Sequence, residues 1–204
     1  MTKFTGRMAK IQSMTLDTNV ILDIQALATL TGKLEENARL SDEDKEYFQR
    51  CRASKKAIFV MLDFNVKRIG LRVVYKELLA APPMHNLYRN LFPEEAKIKK
   101  ECRNLAERYA SIGIPPADAA IVALASINDI DILLSWNRRH VANREKIEEV
   151  EKMNSKQRYQ TPEIMTPDDF LARLIRTDGK CLALSPSPLL PVYQMGSYLS
   201  KHGV

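Results

Sequence analysis

The chain has 204 residues, 45% of them apolar and 27% charged, the balance of a globular domain with enough chain for one buried core. No apolar run approaches the ~18 residues of a membrane span, and Met1–Ser13 holds no apolar signal-like stretch. The net charge of +6 favours a polyanionic partner, and Cys51, Cys102 and Cys181 show neither metal-ligand nor redox spacing, so a reduced, cytoplasmic protein is expected.

The first strand is expected in "SMTLD", which places Asp17 at a turn into a helix. That helix carries Val20, Ile21, Ile24, Leu27, Ala28 and Leu30 at helical spacing, with Gly32 as its stop and Asp23 on its exposed side. A second helical stripe starts behind Ser41 and runs through Tyr47, Cys51, Ile58, Met61, Leu62, Val66 and Ile69 to a stop at Gly70, as one helix or two in tandem, with Lys67 and Arg68 in its last turn. It places Asp63 inside a helix, with no strand end or turn to present it. "AIFVML" also fits a buried strand, which would make Asp63 a candidate.

"LRVVY" reads as the second strand, with Glu77 just after it and the Pro82–Pro83 pair ending a short helix. A helix is expected from Pro93 to Gly113, with Glu94 and Glu95 at its N-terminus and Ile98, Cys102, Leu105 and Tyr109 on its apolar face. Its Lys97, Lys99, Lys100, Arg103 and Arg108 alternate with Glu101 and Glu107, as on a solvated face. "PPADAAIVALASI" is a buried helix with Asp118 in its first turn. "DILLSW" is a strand and "NRRHVANREKIEEVEKM" a charged helix. "PEIM" is a short strand before the capped helix "TPDDFLARLI". The Pro-containing remainder has no clear period and is expected to pack on the domain or on a partner.

Strands separated by helices imply parallel crossovers and an α/β/α layered domain. There is no glycine-rich nucleotide loop. Ligands of parallel sheets bind at the carboxyl ends of the strands. Asp17, Glu77, Asp118 and Asn137 all fall there, whereas Asp131 starts its strand and Asp129 sits in a turn. Clustered carboxylates repel and call for a hard cation, Mg²⁺ or Mn²⁺, the companion of phosphodiester hydrolysis. Each residue also has a plain structural explanation, as a cap or a solvated helix position, and only their joint placement points to a site. Arg138, Arg139 and His140 follow Asn137 and are placed to contact phosphates. Trp136 is expected to be a packing anchor. His85, His140 and His202 form no metal-ligand spacing.

Five pieces, "MTLDTNVILD", "LRVVYKELL", "PPADAAIVALA", "ILLSWNRRHVAN" and "PEIMTPDDFL", occur in an order that resembles PIN-domain ribonucleases, especially the VapC-like toxins of toxin–antitoxin pairs. The resemblance runs from about Met14 to Leu174. It implies an α/β fold, specifically a three-layer α/β/α PIN-like domain with a short parallel sheet, at residues 14–175, between extensions at 1–13 and 176–204. It implies Mg²⁺- or Mn²⁺-dependent endonucleolytic cleavage of single-stranded RNA, an antitoxin protein as partner, and a homodimer. Asp17, Glu77 and Asp118 match the family's three acids, so Asp17 rather than Asp63 is the working carboxylate. Asn137 stands where the common pattern has a fourth acid, and is carried over as a catalytic and metal-binding position. Thr18, Asn19 and Ser135 are expected to hydrogen-bond the carboxylates. The long helical segment after Gly32 and the Pro-containing tail depart from the compact members of the family. A PIN-like domain that binds RNA or a protein without cutting is the alternative, motivated by Asn137.

Overall fold

The computed structural model describes residues 11–35, 39–63 and 66–177; residues 1–10 and 178–204, which hold most of the two expected extensions, lie outside the described residues. Among the described residues are five strands, all parallel, and eight α-helices, an α/β fold. In chain order they are β1 (Ser13–Leu16), α1 (Thr18–Glu35), α2 (Asp42–Asp63), β2 (Lys67–Gly70), α3 (Arg72–Glu77), α4 (Pro82–Leu91), β3 (Glu94–Glu95), α5 (Lys100–Ser111), α6 (Pro116–Ile127), β4 (Ile132–Leu134), α7 (Arg144–Gln157), β5 (Glu163–Met165) and α8 (Pro167–Thr177).

The strand order is β3-β2-β1-β4-β5. From β1 the chain travels outward to β2 and β3, then crosses back to β4 and continues to β5. The reversal leaves a crevice between the carboxyl ends of β1 and β4, where open parallel sheets bind ligands. β1 is buried along its whole length, as a central strand covered on both faces must be. Its end is level with that of β4, Leu16 opposite Leu134.

Right-handed crossovers put the β1–β2 helices on one face and the helices flanking β4 on the other, compatible with three layers. Helix α2 packs against both α1 and α8. On the other side α5, α6 and α7 share a buried polar knot. Tyr109 Oη donates to Asn154 Oδ1 at 2.5 Å and lies 3.3 Å from Ser126 Oγ, which accepts from Asn154 Nδ2 at 3.1 Å. The main core joins sheet and helices, and a smaller cluster of Leu27, Leu30 and Cys51 closes the far half of the α1–α2 pair.

Several local expectations are corrected. Gly32 does not stop α1, which runs to Glu35 with Gly32 inside it; a helical glycine costs only about 1 kcal/mol. "AIFVML" is helical, but α2 ends at Asp63, and Lys67–Gly70 is β2 rather than the helix's last turn. "LRVVY" is not a strand: Val74 of α3 and its flanking residues Leu71 and Leu78, all fully buried, follow helical spacing. The short helical run ends at Ala80, just before the two prolines as expected, and the prolines also open α4, since proline lacks only an amide that the first turn leaves free. Glu94–Glu95 pairs with Ile69–Gly70 as β3, which delays α5 to Lys100 and leaves Ile98 exposed. Residues 137–142 form a turn, and α7 begins only behind the Asn143 cap, whose side chain accepts from the Lys146 amide.

Among the described residues no helix is long and apolar enough to cross a membrane, and Cys51 and Cys102 are free and buried.

Candidate active site

Asp17 occupies the first position after β1, and its amide donates to Leu134 O of β4 at 2.9 Å, which ties it to the crevice. The side chain is 4% exposed. Oδ1 accepts from the Thr18 amide at 2.6 Å. Oδ2 accepts from Ser135 Oγ at 2.6 Å and from Asn19 Nδ2 at 2.9 Å. Burial pushes the carboxyl above its ordinary range and the Glu77 charge adds to this, while the bonds from Ser135, Thr18 and Asn19 pull it back.

Glu77 closes α3 rather than following a strand, yet it reaches the cluster, and Thr18 Oγ1 donates to its Oε2. Asp118 lies in the first turn of α6, started by Pro116. Its carboxyl is pushed up to about 6, by burial first and then by the charges of Asp17 and Glu77, against a bond from Asn137. Asn137 Nδ2 donates to Asp118 Oδ2 at 2.7 Å, and the Asn137 amide donates to Ser135 Oγ at 3.0 Å. The structure therefore brings together Asp17, Glu77, Asp118 and Asn137, with Thr18, Asn19 and Ser135 among them.

Asn137 uses both ends of its side-chain amide. The nitrogen holds Asp118 and the oxygen accepts from the His140 amide at 3.1 Å. As placed it is a donor to an acid. Arg138 is half-engaged: Nη2 donates to Thr166 Oγ1 at 3.3 Å and lies 3.8 Å from Asp169. Arg139 is exposed on the same turn.

The groups acting most strongly on Asp17 and Asp118 include no lysine, arginine or histidine. Oxygen donors that repel one another without a protein cation fit a hard divalent ion. Among the described residues, however, no group of three or more His, Cys, Asp or Glu side chains is arranged to hold a metal ion as it stands. Glu77 accepts from Thr18 Oγ1 and Asp118 from Asn137 Nδ2, both neutral donors. The donor chemistry is that of a hard-cation site.

The excluded acids sort as follows. Asp63 is exposed at the end of α2, and Asp129 has a φ of 51° in a turn. Asp131 sits at the opposite sheet edge, where its Oδ2 accepts from the amides of Gln12 and Ser13 at 2.8 and 2.9 Å. Asp23 is a correction. It is not exposed but 1% accessible, gripped by Arg50 through Nε at 3.2 Å and Nη2 at 3.1 Å, and by Ser54 Oγ at 2.6 Å. Trp136 packs against the main core and donates its indole N–H to Ser54 Oγ at 2.7 Å. The signal for this network was in the spacing, since Asp23 lies on the same helical face as Val20 and Leu27.

The chain matches no protein-family model, no curated protein and no solved structure.

Proposed function

We propose that this protein is a PIN-like endoribonuclease that needs Mg²⁺ or Mn²⁺ and hydrolyses single-stranded RNA. The observation that carries the reading is the cluster itself: three acids from three distant segments meet at the sheet's switch point, where neighbouring acid charges add to burial in raising the pKa of Asp17 and Asp118, and no cation is among the groups acting most strongly on those two. The resemblance to VapC-like toxins extends the proposal to a homodimeric toxin held in check by an antitoxin protein.

A divalent ion, when bound, supplies charge for a phosphodiester and lowers the cost of an attacking hydroxide. Asp17, Glu77 and Asp118 would hold that ion. Ser135, Asn19 and the Thr18 amide fix the Asp17 carboxylate, and Asn137 fixes Asp118. Arg138, Arg139 and His140, on the turn beside Asn137, meet the phosphates on either side of the cut.

A second reading, RNA binding without cleavage, is favoured by one observation. The fourth position brings no acid, and its amide oxygen is already engaged by His140.

The test is incubation of a mixed single-stranded RNA pool with pure protein, with and without Mg²⁺ or Mn²⁺, beside Glu77→Gln and Asp63→Asn. Metal-dependent cutting that Glu77→Gln abolishes and Asp63→Asn keeps supports the nuclease. Retention of RNA without cutting moves the reading to the second.

A further inference from the structure

The Asp23–Arg50 pair lies outside the acid cluster but is joined to it by an unbroken chain of contacts. Asp23 accepts from Ser54 Oγ at 2.6 Å, and the same oxygen accepts from Trp136 Nε1 at 2.7 Å. The Arg50 guanidinium, held in a fork by Asp23, lies 5.3 Å from the Trp136 ring centre. Trp136 is thus met at its edge and on its face by Ser54 and Arg50 of α2, both held by Asp23 of α1.

Its backbone belongs to the cluster. The Trp136 amide donates to Asn19 Oδ1 at 3.2 Å, and Asn19 donates to Asp17. The residue before it, Ser135, donates to Asp17, and the residue after it, Asn137, donates to Asp118. Three consecutive residues hold the two acids through donors in fixed directions, and the central one is anchored by the ion pair.

We propose that Arg50, locked onto Asp23, is a positioning residue for the acid cluster: through Trp136 it fixes Ser135–Asn137, the segment that aims Asp17 and Asp118. Arginine suits the task because its planar fork engages both carboxylate oxygens while its charge lies over the indole, which lysine cannot reproduce. The proposal deepens the cation-site reading above and rests on it only for the effect on ion affinity.

The experiment uses the full chain with two substitutions. Arg50→Met removes the fork and keeps an apolar stem. Trp136→Phe removes the indole donor and keeps a ring, and it carries the test alone if Arg50→Met does not fold. Arg103→Met, on the exposed face of α5, is the control. Hydrogen exchange is followed at the Trp136 and Asn137 amides, whose acceptors are Asn19 and Ser135, and Mn²⁺ affinity is measured by titration. The expected result is exchange at these two amides accelerated roughly tenfold or more, with the α5–α6–α7 core unchanged, and Mn²⁺ binding weakened about 10–100-fold. In Arg50→Met the emission of Trp136, the only tryptophan, shifts to the red. Exchange at these amides within twofold of wild type in a folded variant overturns the proposal. So does uniform acceleration along the whole chain, which a merely structural ion pair would give. If the wild type binds no Mn²⁺ while the local exchange still rises, the cation reading falls and the positioning role stands.

Discussion

Two buried aspartates, six residues apart, meet opposite fates. Asp23 is 1% exposed and Asp17 is 4% exposed. Burial is the largest influence on each and pushes both carboxyls up. Asp23 is answered by an arginine fork and a serine hydroxyl. Asp17 receives neutral donors only, and its charged neighbours of note are two further acids. A buried acid with its own counter-ion is finished as structure. A buried acid set among other acids holds free energy that an incoming cation can release, so electrostatic incompleteness separates site from scaffold here.

The largest effect that would break this contrast is on cleavage. Asp118→Asn should lower metal-dependent RNA cutting by more than about a hundredfold, beyond the ~10–100-fold typical when only a ligand's hydrogen-bond partner is removed. Ser135→Ala should fall inside that lower range, because it loosens Asp17 without removing a charge. A gel assay of initial rates separates the two.

Stability should respond with opposite signs at the two acids. Asp23→Asn leaves Arg50 without its partner and should cost about 2 kcal/mol in denaturant unfolding, salt notwithstanding. Asp118→Asn should instead raise the melting temperature of the metal-free protein at pH 7.5. The sign follows from linkage. A folded-state carboxyl at about 6, against about 4 unfolded, binds more protons folded than unfolded between those values. Its ionisation therefore costs stability as pH rises through that window. The gain from Asp118→Asn should be largest above pH 6 and vanish below about pH 4. A melting series from pH 4 to 8 checks it, and a pH-independent gain would show that charge is not the cause.

The smallest expected effect is at the echo of the Asp17 motif. Asp63→Asn, at an exposed helix end, should leave both cutting and melting within error.

How much of this was legible depended on element length and on what each residue meets. The buried strands β1 and β4 and the proline-started α6 stand out in sequence, and they carry Asp17, Asn137 and Asp118. Strand β2 did not, because its four residues, Lys67–Gly70, continue the helical stripe and expose Lys67 beside Glu94 on the neighbouring strand. β3 is two glutamates, too short for any pattern. "LRVVY" carries β-forming residues, but Leu71, Val74 and Leu78 bury one helical face, and tertiary packing overrode propensity. That misreading put Glu77 at a strand exit, where the structure has the end of α3. The burial of Asp23 is legible in its place on the face of Val20 and Leu27, but its partner is not, since Arg50 is 27 residues away, a distance no local spacing rule spans.

The most direct test of the central claim is calorimetric titration of Mn²⁺ into metal-free wild type, Asp118→Asn and Asp23→Asn at pH 7.5. The account predicts a binding event in wild type that Asp118→Asn abolishes and Asp23→Asn weakens but retains. Equal binding in wild type and Asp118→Asn, or none in wild type, would contradict it.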